Sequence, residues 1–262
     1  MTFKAFSKYA AAALVFSMAL ITSADSAEAK RPKVGFLSSI EIPEGPEMRV
    51  VTVDGEEFVG YITSSGATQG SMTRFKFRTF DGRKIKFKAQ DVALLEIVVD
   101  EALQDLMIDN ATDTVEEIWK ADFERIFEVE TLEFHAIRHP WAKRVALRQL
   151  INPGFDSRIQ VYYLPKSKEG KSSSGIIPLF GDMAKAYLVV KDGAEPIRVK
   201  QWQYSGKFFE QLFGDCPALT ERYTGNMRKF KFFAEHTQMY DQLCPGEGSP
   251  TYDENSAEAM TR

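Results

Sequence analysis

Histidines are the first residues in this chain whose type and spacing could support metal chemistry. The sequence contains three of them, and His135 and His139 are four residues apart. On a helix that spacing would let both imidazoles bind one metal ion. Residues 131–139 instead show the alternation of a strand, which separates the two side chains by about 13 Å. His236 lacks a partner at ligand spacing, so we expect neither a metal nor another cofactor.

Nucleotide-binding and nucleophile motifs are the next candidates. Gly170-Lys171-Ser172 matches the end of a phosphate-binding loop, but the motif requires glycine where this chain has Pro165. No G-x-S-x-G nucleophile elbow occurs. The carboxylates of 116–133 could act as general acid and base, but their density is typical of a solvated helix face. We therefore expect no nucleotide ligand and a non-enzymatic protein. The alternative is an exported hydrolase of unrecognised type, with its site in the loop 165–184 or near the acidic helix.

Two adjacent strands concentrate positive charge on one face. Residues 73–80 and 83–89 alternate between apolar and polar types around an Asp81-Gly82 turn, which predicts a β-hairpin. Phe75, Phe77, Ile85 and Phe87 form the apolar face, and the opposite face carries Arg74, Lys76, Arg78, Lys84, Lys86 and Lys88. We predict that these cations bind an anionic partner: an envelope protein, an anionic glycan or an acidic lipid. Two alternatives stay open. The face is solvated and discourages edge-to-edge pairing, or the acidic segment 116–133 covers it.

The N-terminus has the three-part pattern of a secretory signal peptide. Lys4 and Lys8 precede an uncharged apolar run over 9–21, and Ala27-Glu28-Ala29 supplies a cleavage site. The run is shorter than the about 20 residues that a membrane-spanning helix needs, and no later run reaches that length. We therefore expect residues 1–29 to be a signal peptide and the protein to be exported, periplasmic or secreted, without a transmembrane span.

Net charge limits the kind of electrostatic function that the chain can have, and cysteine content predicts a disulfide. The net charge is only −4, so an electrostatic function requires a local patch. Export to an oxidising compartment favours a disulfide between Cys216 and Cys244, the two cysteines of the chain. The alternative is two buried thiols that do not meet. The sequence does not indicate an oligomeric state.

The remaining pattern predicts an α+β protein. Residues 30–45 form an extended lead-in, 46–100 a small β-barrel of five short strands, and 101–245 a mixed β-sheet domain with a helical C-terminal cap. Within the second part, apolar spacing predicts helices over 114–128 and 226–243. The tail 246–262 is polar and acidic, which predicts disorder.

Short motifs in the N-terminal part resemble a known barrel group. They are the Asp54-Gly55 turn before a strand, the Asp81-Gly82 hairpin and the closing segment 91–97. In this pattern they resemble SH3-like or Lsm-like barrels. The resemblance implies a fold and leaves function open, because such barrels have many roles.

The C-terminal part resembles uncharacterised exported bacterial proteins. In that group a β-rich part precedes a helical part with a D-C-P motif and a Y-N-x-x-C-like ending. Here the motif is Asp215-Cys216-Pro217, and the ending is 240–244 with Asp241 in place of the asparagine. The resemblance implies an exported location and pairing of Cys216 with Cys244. It implies no reaction.

Overall fold

The computed structural model describes residues 34–68, 71–112, 122–140, 144–164 and 186–246. The predicted signal peptide, the loop predicted over 165–184 and the tail beyond residue 246 lie outside these ranges.

Within the described ranges, the chain forms two antiparallel sheets and five α-helices. The strands are β1 (Met48–Thr52), β2 (Glu57–Thr68), β3 (Ser71–Thr79), β4 (Lys84–Lys88), β5 (Val92–Val98), β6 (Thr131–Arg138), β7 (Val145–Gln149), β8 (Ile159–Leu164), β9 (Ala186–Lys191) and β10 (Ile197–Lys200). The helices are α1 (Glu101–Thr112), α2 (Phe123–Glu128), α3 (Gly206–Phe213), α4 (Pro217–Arg222) and α5 (Phe233–Leu243). This content confirms the predicted α+β class.

Six of these strands close into a barrel in the order β2-β1-β5-β6-β7-β3, and β3 returns to β2. β4 pairs with part of the other edge of β3. Val50, Leu95 and Phe134 are buried while their neighbours along each strand are partly exposed, so the period of two directs apolar side chains into the barrel. The ring includes β6 and β7, so the closed sheet extends beyond the expected limit at residue 100. The SH3-like assignment stays a prediction.

The closure of the barrel depends on β2, which changes partners along its length. Residues 57–60 pair with β1, and residues 60–68 pair with β3 with two shifts in register. Such irregularities bend a strand and increase its twist. Gly60 lies where the two pairings overlap, and a Cβ atom at this position would lie 2.1 Å from the carbonyl oxygen of Arg78. Glycine therefore permits the close approach of β2 and β3.

The extended lead-in packs against the core. Residues 34–43 form neither strand nor helix, and Leu37 and Ile40 within them are buried. The N–H of Leu37 donates to the carbonyl of Ile151 (2.8 Å), and the N–H of Ile40 donates to the side-chain oxygen of Gln149 (2.8 Å). These bonds satisfy backbone groups that lack a strand partner, and they hold the lead-in beside the end of β7.

The region after the first five strands contains a helix that the sequence pattern does not predict. The Asp100 carboxylate accepts the N–H of Leu103 (2.8 Å) at the start of α1, and Leu103 and Met107 are buried one turn apart. Of the helix predicted over 114–128, the described part confirms only 123–128, which form α2. Asp122 is the non-helical N-cap of α2, and the part before residue 122 lies outside the described ranges. Buried positions recur only once per turn in α1, which makes its apolar period weak.

The second sheet has the order β10-β9-β8. One of its faces contributes Val161 and Val189 to the main core, which also contains the barrel interior. Its other face forms a smaller apolar cluster with Leu150 and with Ile137 of β6. A β-bridge from Leu150 to Tyr162 joins the two sheets at this point. The second sheet is therefore packed on the outer face of β6 and β7.

The last helix begins later than the sequence predicts. The prediction of helix over 226–243 is wrong over its first seven residues, because α5 begins at Phe233 after two short 3-10 turns. The ring of Phe230 stacks on the ring of Tyr187 in β9, with centroids 5.7 Å apart. This tertiary contact stabilises a non-helical conformation of residues 226–232, which local helix propensity does not predict.

A disulfide joins the helices of the cap. Cys216 immediately precedes α4 and Cys244 immediately follows α5, and their Cα atoms lie 6.0 Å apart across the bond. The predicted pairing is therefore confirmed. The link closes a loop that contains both helices, which limits the freedom of the unfolded chain.

His236 is buried among aromatic rings inside the cap. The ring centroids of Tyr223 and Phe209 lie 4.6 Å and 4.9 Å from the centroid of its ring. Nε2 lies 3.0 Å from the carbonyl of Met227 and must donate to it, so in the neutral ring Nδ1 accepts from the Tyr204 hydroxyl (2.7 Å). Burial lowers the pKa of His236 to about 4.

Acidification should destabilise the protein through His236. Its pKa is 6.5 in an unfolded chain and about 4 in the folded protein, so the unfolded state binds the proton first. This contribution to the free energy of unfolding is complete above pH 6.5 and is lost as the pH falls towards 4. About 2 kcal/mol should be lost near about pH 5. Denaturant titrations at several pH values measure the loss, and His236→Phe should lack this component. Equal pH dependence of the two proteins would contradict the assignment.

Candidate functional site

The two strands of the β3–β4 hairpin have the register that their alternation predicts. We use the name basic hairpin for the outward face of these two strands, which is formed by six cationic side chains. They face each other in three rows: Arg74 with Lys88, Lys76 with Lys86, and Arg78 with Lys84. Rows follow one another about 7 Å apart along the strands, and the two members of a row have Cβ atoms about 5 Å apart. The result is a grid of positive charge two residues wide and three residues long.

The basic hairpin is accessible and lacks counter-charges of its own. Five of its side chains are exposed, and Arg78 is half-buried. No carboxylate in the described ranges pairs with any of the six. The acid at the turn, Asp81, is already paired with Arg83 (Nε–Oδ2, 2.7 Å). A hydrogen bond from Thr79 and the contacts with Arg83 lower the pKa of Asp81.

Aromatic packing on the inner face holds the cations together. The ring of Phe87 lies 5.2 Å from that of Phe75, 6.0 Å from that of Phe77 and 5.6 Å from that of Phe58, measured between centroids. Burial of Phe75, Phe77 and Phe87 stabilises the fold by about 1.5–3 kcal/mol for each ring. Each facing pair of like charges is destabilising by only about 0.2–1 kcal/mol. The apolar face therefore outweighs the repulsion, and the hairpin persists without an internal counter-charge.

Charges on the neighbouring strands are arranged differently. Arg49 on β1 forms salt bridges with Glu57 (Nη1–Oε2, 3.1 Å) and with Glu96 on β5. Hydrogen bonds to Glu96 and Glu57 raise the pKa of Arg49. The barrel surface over β1 and β5 thus carries paired charges, whereas the surface over β3 and β4 carries positive charge alone. The contrast marks the basic hairpin as the part of the barrel suited to an external anion.

Two further residues shape this surface. A Cβ atom at Gly66 of β2 would lie 2.8 Å from side-chain atoms of Arg74, so the guanidinium stem lies over this glycine. Phe80 follows β3 at the tip of the hairpin, and the exposed fraction of its surface is 63%. By the alternation of the strand, Phe80 extends the outward face of Arg78. The grid of cations therefore ends in an exposed aromatic ring.

Charge reversal at the centre of the grid should stabilise the fold. In Lys86→Glu, the new carboxylate faces Lys76 and lies diagonally from Arg74 and Arg78, so it replaces repulsion with attraction. We expect the free energy of unfolding to rise by about 0.5–1 kcal/mol at low salt, as measured by denaturant titration. High salt should reduce the gain. Lys86→Gln is the matched neutral control and should give a smaller gain, and a loss of stability with Glu would contradict the register.

The other residues that the sequence singled out do not converge on one site within the described ranges. His135 Nδ1 lies 2.9 Å from the Tyr162 hydroxyl, and Nε2 lies 3.1 Å from a carboxylate oxygen of Glu133. This chain of contacts links β6 to β8. The Asp122 carboxylate caps α2 by accepting a hydrogen bond from the backbone N–H of Arg125. The remaining acids of 116–133 are exposed or lie outside the described ranges.

Asp215 of the D-C-P motif is the centre of a charge network that the sequence pattern does not predict. Its carboxylate accepts from Lys191 Nζ (2.6 Å), Arg158 Nη2 (3.0 Å) and the Tyr240 hydroxyl (2.7 Å). Burial opposes ionisation of Asp215, but hydrogen bonds from Lys191, Tyr240 and Arg158 outweigh it and lower the pKa to about 2. Arg158 directly precedes β8, Lys191 ends β9 and Tyr240 lies in α5, so the network ties the second sheet to the helical cap.

Comparison of the chain with protein-family models, with curated proteins and with solved structures finds no match. Within the described ranges, no three His, Cys, Asp or Glu side chains are gathered as metal ligands. The helices described there are all too short or too polar to cross a membrane. The basic hairpin is therefore the feature of the described chain that points most directly to a function.

Proposed function

We propose that this protein is an exported, non-enzymatic binding protein of the cell envelope, and that its basic hairpin recognises a polyanion. The observation that carries the proposal is a face of six cations without a carboxylate partner in the described part of the chain. The whole chain is slightly acidic, so this face is a local concentration of positive charge. A ligand with closely spaced negative charges would convert mutual repulsion within the face into attraction.

Three observations support export. The first 29 residues have the pattern of a signal peptide. The Cys216–Cys244 disulfide is of a kind that persists in oxidising compartments. The resemblance to uncharacterised exported bacterial proteins points to the same location. In that location, anionic glycans and acidic lipid headgroups are the polyanions that the basic hairpin would meet.

The mechanism of binding follows from the rigidity of the grid. Strand pairing and the aromatic inner face fix the backbone positions of the six cations, so only their side chains have to be ordered when a polyanion binds. Contact between charged surfaces releases condensed counterions, which makes such binding strong at low salt and weak at high salt. Phe80 at the tip adds an apolar contact for a sugar face or for the interfacial layer of a membrane.

Two probes test the proposal and separate the two sources of negative charge. The full chain is applied to immobilised heparin and, in parallel, is sedimented with vesicles of phosphatidylglycerol or of phosphatidylcholine. We expect retention on heparin, on phosphatidylglycerol vesicles or on both, and release by salt in each case. Retention by neutral phosphatidylcholine vesicles alone, or by neither anionic probe at low salt, would refute the proposal.

A further inference from the structure

Arg148 on β7 is a buried charge that has no carboxylate partner in the described part of the chain. Its neighbour Leu147 points into the barrel core, so Arg148 lies on the outer face of the strand, on the side of Leu150. Only 4% of Arg148 is exposed. Its Nε and Nη1 atoms are shielded from solvent and have no hydrogen-bond partner. No carboxylate in the described ranges pairs with it.

Two other basic groups lie close to Arg148. His139 follows β6 in the turn that leads to β7, and Arg198 lies on β10 opposite Leu188. Burial lowers the pKa of His139, and the positive charges of Arg148 and Arg198 lower it further. His139 is therefore within electrostatic range of both arginines, where the outer face of the β6–β7 hairpin meets the second sheet.

The guanidinium of Arg148 remains charged at neutral pH. Burial lowers its pKa, to about 10, and the nearby Tyr163 opposes the shift. A buried charge without a partner is strongly destabilising, and buried donors without acceptors add to this. Native proteins rarely retain such groups unless they bind an ion, a ligand or water. The unpaired Nε and Nη1 atoms of Arg148 therefore point to a bound group that is not part of the described chain.

We propose that Arg148, with Arg198 and His139 beside it, binds a small oxyanion, a phosphate or carboxylate group, between the barrel and the second sheet. The planar fork of a guanidinium matches the paired oxygens of these groups. A polyanion is excluded as the occupant because the guanidinium is buried. The site uses none of the residues of the basic hairpin, so this inference is independent of the proposed function.

Thermal unfolding of the full chain tests the site, with inorganic phosphate and acetate as probes and sodium chloride at matched ionic strength as the reference. At about a hundredfold excess over its Kd, a bound oxyanion should raise the Tm by roughly 5 °C above the chloride value. The preferred probe identifies a tetrahedral or a planar oxyanion. Arg148→Met should abolish the saturable rise, and the hairpin variant Lys84→Glu/Lys86→Glu/Lys88→Glu should keep it.

Two results would overturn the site. The first is a rise in Arg148→Met equal to that of the unaltered chain. The second is an unaltered chain that responds to phosphate and acetate no more than to chloride. If Arg148→Met does not fold, equilibrium dialysis with labelled phosphate and labelled acetate decides the matter, and it uses the hairpin variant Lys84→Glu/Lys86→Glu/Lys88→Glu so that the basic hairpin does not supply the uptake. Saturable uptake of either probe supports the site, and uptake of neither refutes it.

Discussion

Replacing Gly60 with alanine should destabilise the barrel by about 4 kcal/mol, the largest effect we expect from a single methyl group in this chain. The added Cβ would lie 2.1 Å from the carbonyl oxygen of Arg78, a backbone atom of the paired strand β3 that cannot rotate away as a side chain could. Relief requires β2 and β3 to separate at the point where β2 also pairs with β1. The midpoint of denaturant unfolding measures the loss.

A second glycine on the same strand provides the matched control. At Gly66 the added Cβ would meet side-chain atoms of Arg74 at 2.8 Å, and that side chain is long and flexible. Gly66→Ala should therefore change the free energy of unfolding by less than about 1 kcal/mol. Equal losses in the two variants would show that β2 and β3 do not approach as closely at Gly60 as the barrel requires.

Charge reversal of β4 should abolish the binding of polyanions without unfolding the protein. Lys84→Glu/Lys86→Glu/Lys88→Glu removes half of the basic hairpin and places each new carboxylate opposite a cation of β3. Each surface cation near an anionic surface contributes about 1 kcal/mol to binding. The loss of three should weaken the Kd for heparin or phosphatidylglycerol vesicles by at least about a hundredfold. Titration of the probe that retains the unaltered chain gives both constants.

The matched control makes the same change in net charge elsewhere. Lys207, Lys229 and Lys231 are exposed residues of the C-terminal cap. Their triple replacement by glutamate should leave the Kd within a few-fold of the unaltered value, because screening confines these interactions to about 10 Å. Similar losses in the two triple variants would show that binding responds to net charge and not to the basic hairpin.

The hairpin could be predicted from the sequence because the information is local. The alternation of Phe75 and Phe77 with cations sets the faces of β3, and the Asp81-Gly82 turn sets the register with β4. The disulfide followed from compartment and count, since the chain has two cysteines. The hairpin was predictable from one short segment, and the disulfide from the number of cysteines and the expected compartment.

The closure of the barrel could not be predicted in the same way. β5 pairs with β6 across a separation that includes α1 and α2, and β7 reaches β3 through a single register pair, Met72 with Leu147. Such pairings depend on the complementary packing of distant segments, and local patterning does not identify partners. The expected limit at residue 100 reflects where the local signal stopped.

The charged clusters outside the hairpin could not be predicted from local sequence patterns either. Asp215 receives its hydrogen bonds from Arg158, Lys191 and Tyr240, which are 57, 24 and 25 residues away in sequence. Arg148 appears in the sequence as one more polar residue on an alternating strand. Only the packing of the second sheet on β6 and β7 shows that its guanidinium is buried. Burial of a single polar side chain is a tertiary property without a local signature.

The most direct test of the central claim is the salt dependence of polyanion binding by the basic hairpin. The Kd of the full chain for heparin and for phosphatidylglycerol vesicles is measured across a series of salt concentrations. We predict a linear fall of log affinity with log salt for at least one probe, with a slope that Lys84→Glu/Lys86→Glu/Lys88→Glu largely removes. Affinity that does not change with salt, or the same slope in both proteins, would contradict the account.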